Sequence, residues 1–119
     1  MHICIITHRP KNFTTFLAAL TKKGVETSLF STGEAALAQV RLAAPTLVVV
    51  DEDLPDMASF ALVSQLLQVN AFIHTAVVSQ LSSEEFHEAS EGLGILTSLP
   101  LQPSTLDADA LLKTLLSLT

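Results

Sequence analysis

Short apolar segments alternate with amphipathic segments along the whole chain, and this alternation is the feature that most constrains its fold. The pattern predicts strands at residues 2–7, 25–30, 46–51, 73–79 and 94–98. It predicts helices at residues 11–24, 31–45, 59–69, 82–92 and 104–118. Strands that alternate with helices favour a parallel sheet with right-handed crossovers. The third strand, "TLVVVD", is apolar up to its last residue, which is typical of a parallel strand covered on both faces.

The length of 119 residues fits one domain, which we place at residues 1–119. Five strand–helix units are too few for a closed eightfold barrel and fit a doubly wound, flavodoxin-like α/β fold. We therefore predict a three-layer fold with a five-stranded parallel sheet of order 2-1-3-4-5. In such sheets ligands bind beyond the carboxyl ends of the strands. The residues expected at that edge are Thr7, His8 and Arg9, Asp51, Ser79 and Gln80, and Leu99.

Composition narrows the choice of partners and compartment. The net charge of −6 argues against nucleic acid, and no apolar run reaches the length needed to cross a membrane. Cys4 is the single cysteine, so we expect a soluble protein in the reducing cytoplasm. Between residues 42 and 112 there are ten acids and no Lys or Arg. This half of the chain is either an ordinary acidic surface or a face for a basic partner.

The stretch "VVVDEDLPDM" places Asp51 at the end of the third strand and Pro55 four residues later. Ser79 ends the fourth strand, and "EGLGILTSLP" leads through a glycine and the fifth strand to a proline. With these motifs and this order of elements, the whole chain resembles the receiver domain of two-component response regulators. The resemblance implies a signal-transduction domain that is not an enzyme, with Asp51 at the phosphoacceptor position and Ser79 at the switch position.

The chain departs from the receiver pattern at the positions that bind magnesium and at the position of the pattern's lysine. Receivers hold a magnesium ion with two acids after the first strand, and here those positions are Thr7 and His8. Receivers carry a lysine before the final proline, and here that position is Leu99. Phosphoryl transfer depends mainly on neutralising charge. We therefore expect no cofactor, with magnesium bound weakly or not at all and only Asp51 and Asp53 as weak candidate ligands.

Two cationic side chains, His8 and Arg9, follow the first strand and should lie near Asp51. Either could pair with Asp51 in place of the metal, and the Ser79 hydroxyl is a further candidate donor. The alternative is that both are solvated residues of the loop before the first helix.

Two functions remain open. We expect a degenerate receiver, or pseudo-receiver, that acts as a phosphorylation-independent protein–protein interaction module. The alternative is a working receiver that a histidine kinase phosphorylates on Asp51 in a two-component phosphorelay.

A phosphatase of the haloacid dehalogenase type is disfavoured, because that pattern has Thr or Val where Pro55 stands. Such an enzyme also needs a downstream lysine, and the only Lys after residue 56 is Lys113 in the last helix.

The last helix carries leucines over a stripe about 160° wide, which exceeds the ~100° that a helix needs to cover a sheet. Either the neighbouring helices cover the extra leucines, or Leu112 or Leu116 stays exposed beside the acidic fourth helix. We predict the second arrangement, with a face formed by helix 4, strand 5 and helix 5. That face would take a protein partner or a second copy, because an apolar patch with a charged rim is the usual form of an interaction site. Its predicted residues are Leu112, Leu116, Glu84, Glu88 and Glu91. No output domain follows in this sequence, so we expect output through such contacts.

Overall fold

A parallel sheet forms the middle layer of the fold in a computed structural model, which describes residues 1–118. Its strands are β1 (His2–Ile6), β2 (Glu26–Phe30), β3 (Leu47–Val50), β4 (His74–Val78) and β5 (Thr97–Leu99). The helices are α1 (Thr14–Lys22), α2 (Gly33–Leu42), α3 (Ser59–Val69), α4 (Ser83–Ala89) and α5 (Thr105–Ser117). The strand order is β2-β1-β3-β4-β5, and all neighbours are parallel. The predicted doubly wound, flavodoxin-like fold is therefore confirmed.

The ends of several elements differ from the sequence prediction, and two of these differences have local reasons. The segment before α1 is a short 3-10 turn, Pro10–Phe13, with its proline at the first position, where the missing N–H is not needed. Strand β5 begins at Thr97, three residues later than predicted. Gly92 and Gly94 have φ angles of 82° and 62°, which a strand does not accommodate. The chain joins the sheet where the Leu96 N–H donates to the Thr75 carbonyl at 2.8 Å.

Side chains of the sheet alternate between two apolar layers, as the pleat of a strand requires. One layer packs against α1 and α5 and includes Ile5, Val49 and Leu112. The other packs against α2 and α3 and includes Cys4 and Val48. Strand β3 is buried along its whole length, so the residue that follows it is delivered into the interior at the carboxyl edge of the sheet.

Helix α4 is the least embedded helix of the fold. None of its seven residues is buried, and Phe86 makes its ring contact with Phe60 at a centroid distance of 5.9 Å. A capping box fixes its start, because the Glu85 N–H donates to the Ser82 Oγ and the Ser82 N–H donates to the Glu85 carboxylate, both at 3.2 Å. Hydrogen bonds to the Glu85 carboxylate from the Ser82 side chain first, and then from the Ser82 backbone N–H, lower the pKa of Glu85. Among residues 1–118, no helix has the length and apolar character that crossing a membrane requires.

Candidate functional site at the carboxyl edge of the sheet

Asp51 lies at the carboxyl end of β3 and its side chain is fully buried, with 0% exposure. Its backbone N–H continues the sheet by donating to the Ile6 carbonyl at 2.9 Å. A buried carboxylate is costly unless charged or hydrogen-bonding groups surround it. The neighbours of Asp51 therefore decide what this position can do.

Arg9 forms a two-point ion pair with Asp51. Its Nη2 donates to Oδ1 at 2.7 Å and its Nε donates to Oδ2 at 3.2 Å. Bidentate pairs of this kind combine strength with a fixed orientation. The hydrogen bond to Asp51 is the main cause that raises the pKa of Arg9 above its ordinary value, so the guanidinium remains charged. The Arg9 side chain is 27% exposed and covers the carboxylate from the solvent side.

Thr7 and the backbone of Glu52 supply the remaining contacts of this carboxylate. The Thr7 hydroxyl donates to Oδ2 of Asp51 at 2.6 Å, and the Glu52 N–H donates to Oδ1 at 2.8 Å. The same hydroxyl accepts from the Arg9 N–H at 2.9 Å, which sets the turn that brings Arg9 back over Asp51. Each oxygen therefore receives two hydrogen bonds. Since a carboxylate offers about four lone-pair positions, this set fills them.

The other residues expected at this edge lie apart from Asp51 or are used elsewhere. His8 is exposed, and of the two candidate cations it is Arg9 that pairs with Asp51. The Ser79 hydroxyl accepts from the Leu81 N–H at 3.1 Å. Leu99, at the lysine position, is 4% exposed and belongs to the apolar core. This position therefore offers no positive charge to an incoming phosphoryl group.

Two acids of the loop after β3 have separate environments. Asp53 is exposed and adopts the left-handed backbone conformation, with φ of 55°, which Asp tolerates better than most residues. Asp56 accepts from the N–H groups of Gly33 and Glu34, both at 3.0 Å, and so caps the start of α2. These two backbone bonds, that of Gly33 first, lower the pKa of Asp56. The cap was not predicted, because its partners are 23 and 22 residues away in the sequence.

The residues around Asp51 are a poor fit for magnesium. This ion requires octahedral oxygen ligands and is usually held by one or two carboxylates. Here both oxygens of Asp51 already accept two hydrogen bonds, and a guanidinium lies against them. Within the described part of the chain, no group of three or more His, Cys, Asp or Glu side chains is placed to hold a metal ion.

Of the two leucines that the sequence suggested for an exposed surface, Leu116 is exposed and Leu112 is not. Leu112 is 8% exposed and belongs to the core, so the expectation that it lies on a surface beside α4 is corrected. Leu116 is 63% exposed, but it lines a groove with Met1 and Lys23. The physical reason is that α5 packs against α1, so its wide leucine stripe turns toward α1. The glutamates predicted for the face, Glu84, Glu88 and Glu91, are exposed.

Comparison with known proteins identifies the fold. No family model matches the chain, and no curated protein sequence matches it. Solved structures match over nearly the whole length. A CheY-like response regulator receiver domain protein from Methanospirillum hungatei is 19% identical with a TM-score of 0.84, covering 98% of this chain and 94% of that one. The receiver domain of NtrX from Brucella abortus is 17% identical with a TM-score of 0.85, covering 98% and 99%. The chemotaxis response regulator CheY4 of Vibrio cholerae is 16% identical with a TM-score of 0.84, covering 96% and 97%.

At these identities the likeness establishes the fold and nothing finer. The chain has the fold of a response-regulator receiver domain, as its strand order and its aspartate at the end of β3 also indicate. What the site does depends on its own residues, because one fold serves many functions.

Proposed function

We propose that this chain is a receiver-type signalling domain that acts without phosphorylation of Asp51, as a protein–protein interaction module. The observation that carries the proposal is the bidentate pair between Arg9 and the fully buried Asp51. The guanidinium takes the place next to the carboxylate that a metal ion needs in order to assist phosphoryl transfer.

The first support is the state of the would-be nucleophile. An oxygen that attacks phosphorus must direct a lone pair at it. Both oxygens of Asp51 instead accept two hydrogen bonds each, from Thr7, Arg9 and the Glu52 N–H. Attack would require breaking at least one of these bonds in a buried environment, where an unpaired charge is expensive.

The second support is the charge balance. A phosphoryl group would add about −1.5 to −2 charges at this edge. Glu52 and Asp53 already lie next to Asp51, and Leu99 stands where a lysine would help. Arg9 supplies a single positive charge in place of a divalent ion and a lysine. The arrangement stabilises the unmodified carboxylate better than it would stabilise a phosphorylated one.

A domain held in one state in this way transmits a signal by being bound rather than by being modified. The surface that suits a partner is the acidic one around α4, with Glu84, Glu88 and Glu91 exposed. We propose that a partner protein or a second copy binds there. The buried free thiol of Cys4 is consistent with a reducing, cytoplasmic compartment.

The experiment is a phosphorylation assay with acetyl phosphate, and separately with beryllofluoride, each with and without magnesium. Intact-mass spectrometry and fluorine NMR should show no adduct on the wild-type chain. The matched control is Asp51→Asn, which removes the acceptor. A stoichiometric, magnesium-dependent adduct that is lost in Asp51→Asn would overturn the proposal and establish a working receiver.

A matched gain-of-function variant sharpens the result. Thr7→Asp, His8→Asp, Arg9→Ala and Leu99→Lys, combined in one chain, restore the metal acids and the lysine and remove the ion pair. If this variant folds and forms the adduct while the wild type does not, these four positions are what prevents phosphorylation of Asp51 in the wild type.

A further inference from the structure

A groove of about 400 Å³ lies between α5 and the C-terminal end of α1, where the chain turns into β2, at the end of the sheet opposite Asp51. Val25, Leu112 and Leu116 form its apolar part, and Lys23 and Lys113 stand at its rim. A second hollow of about 370 Å³ shares Lys23 and Asp109 with the first and adds Lys22.

The rim of this groove is basic in a chain that is otherwise acidic. Lys22, Lys23 and Lys113 are three of the six basic residues of the chain, whose net charge is −6. Asp109 also lines the groove and lies 3.9 Å from the Lys23 Nζ. That pair is solvent-exposed on both sides and therefore weak. The groove thus suits an acidic segment with an apolar anchor.

The same chain presents such a segment on a different surface. Helix α4 has no buried residue, carries Glu84 and Glu88, and is followed by Glu91. Leu81, just before the helix, is 44% exposed and provides an apolar anchor. No Lys or Arg lies between residues 42 and 112 to oppose a basic partner.

Helix dipoles account for part of this distribution. Lys22 lies in the last turn of α1 and Glu84 in the first turn of α4, where the macrodipole favours those charges. Dipoles do not explain why the basic rim surrounds an apolar groove. They also do not explain why the acidic helix has so little packing within its own domain.

We propose that the groove between α1 and α5 binds helix α4 of a second copy of this chain. The proposal names the partner of the acidic surface and rests on that part of the proposed function. Groove and helix are different surfaces, so the contact is heterologous, and successive copies add head to tail into rings or open chains. The contact is electrostatic at its rim, so it weakens as salt rises and shortens the Debye length from about 8 Å at 0.15 M to about 3 Å at 1 M.

The test is sedimentation velocity of the intact chain over a concentration series into the high micromolar range, at low and high salt. The wild type should show a mass that rises with concentration and falls with salt. Lys23→Glu with Lys113→Glu reverses the groove, and Glu88→Lys with Glu91→Lys reverses the helix. In each double variant alone, association should be at least tenfold weaker than in the wild type. Each should therefore sediment as a monomer at concentrations where the wild type associates. Leu112 and Glu85 stay unchanged, because they belong to the core and to the capping box.

Mixing the two double variants is the decisive measurement. An acidic groove then meets a basic helix and the reverse, so the mixture should associate although neither variant does so alone. The charge-matched control, Lys11→Glu with Arg41→Glu, changes exposed residues away from the groove and should associate as the wild type does. A wild type that stays monomeric throughout, or a mixture of folded variants that fails to associate, would overturn the proposal. None of these variants touches Arg9 or Asp51, so that failure would leave the result of the phosphorylation assay standing.

Discussion

The two halves of the carboxyl edge are built in opposite ways. At β1 and β3, the contacts among Thr7, Arg9 and Asp51 form a closed set of short bonds around a buried charge. At β4 and β5, Ser79 bonds a neighbouring backbone N–H and α4 has no buried residue. One half is held by buried electrostatics, and we call it the rigid half. The other half carries the helix without a buried residue, α4, and we call it the loose half.

The difference indicates where this domain can respond. A bond between the Gln80 side chain and the Glu52 carboxylate, at 2.5 Å, joins the two halves and is exposed. Because this bond is exposed, the partner binding that we propose at α4 should reorder the loose half with little effect on the ion pair. The following variants test whether the two halves are as unequal as their contacts imply, beginning with the largest effect.

The largest effect is expected for Arg9→Ala, which leaves the buried Asp51 without a cation. Removing one partner of a buried pair typically costs 3–5 kcal/mol, and since Arg9 is partly exposed we expect about 2–4 kcal/mol. Urea unfolding followed by circular dichroism measures the loss. The matched control is Arg41→Ala, an exposed arginine of α2, which should change stability by less than about 0.5 kcal/mol.

A double variant separates the pair from the packing of Arg9. In Arg9→Ala with Asp51→Asn the uncompensated charge is gone, so much of the lost stability should return. Equal stability losses in Arg9→Ala and in the double variant would show that the buried charge is not what Arg9 compensates.

A smaller loss is expected for Thr7→Val. The change removes the hydroxyl that donates to Asp51 and accepts from the Arg9 N–H. Hydrogen bonds to charged groups contribute about 1.5–3 kcal/mol, so the free energy of unfolding should fall by about that amount. Thr7→Ser keeps the hydroxyl and should retain most of the stability. If Thr7→Val leaves stability unchanged while Thr7→Ser lowers it, the methyl group of Thr7 and not its hydroxyl is what the site needs.

The sequence placed Asp51 well but left its partner open. The alternation of strands and helices predicts a parallel sheet, and a parallel sheet brings the ends of β1 and β3 together. The choice between His8 and Arg9 depends on the turn after β1, which the Thr7 hydroxyl sets by accepting from the Arg9 N–H. The pattern of apolar and polar residues does not contain that bond. Comparison with receivers showed Thr7 only as the loss of a metal-binding acid.

The prediction for Leu112 was wrong for a different reason. Helical periodicity correctly gives the width of an apolar stripe, but it does not say which neighbour covers each edge of it. Here α1 lies against α5 and covers Leu112. The cap that Asp56 provides for α2 was missed because it joins residues that are distant in sequence.

Asp56→Ala should have a more modest effect, because it removes an exposed carboxylate that caps the start of α2. Loss of an N-terminal cap costs about 0.5–2 kcal/mol, and Thr32 still caps α2 by accepting from the Ala35 N–H. The pKa of Asp56 is lowered in the folded state. Its contribution is therefore present above the unfolded pKa of about 3.9 and is lost as pH falls through the folded value. Stability measured from pH 7 down to pH 2 should decline less in Asp56→Ala than in the wild type, and parallel curves would contradict this role.

The smallest effect is expected for Gln80→Ala, which removes the side-chain bond between the two halves. Both partners are solvent-accessible, so the bond competes with water and its loss should change the free energy of unfolding by less than about 0.5 kcal/mol. Hydrogen exchange gives the sharper readout, because it resolves local opening from global unfolding. Amide exchange in α4 should be faster than in β3 already in the wild type, and Gln80→Ala should leave protection in β3 unchanged. If the substitution instead lowers protection at β3 and Asp51 as much as at α4, the two halves open together, and an event at α4 would reach the Arg9–Asp51 pair directly.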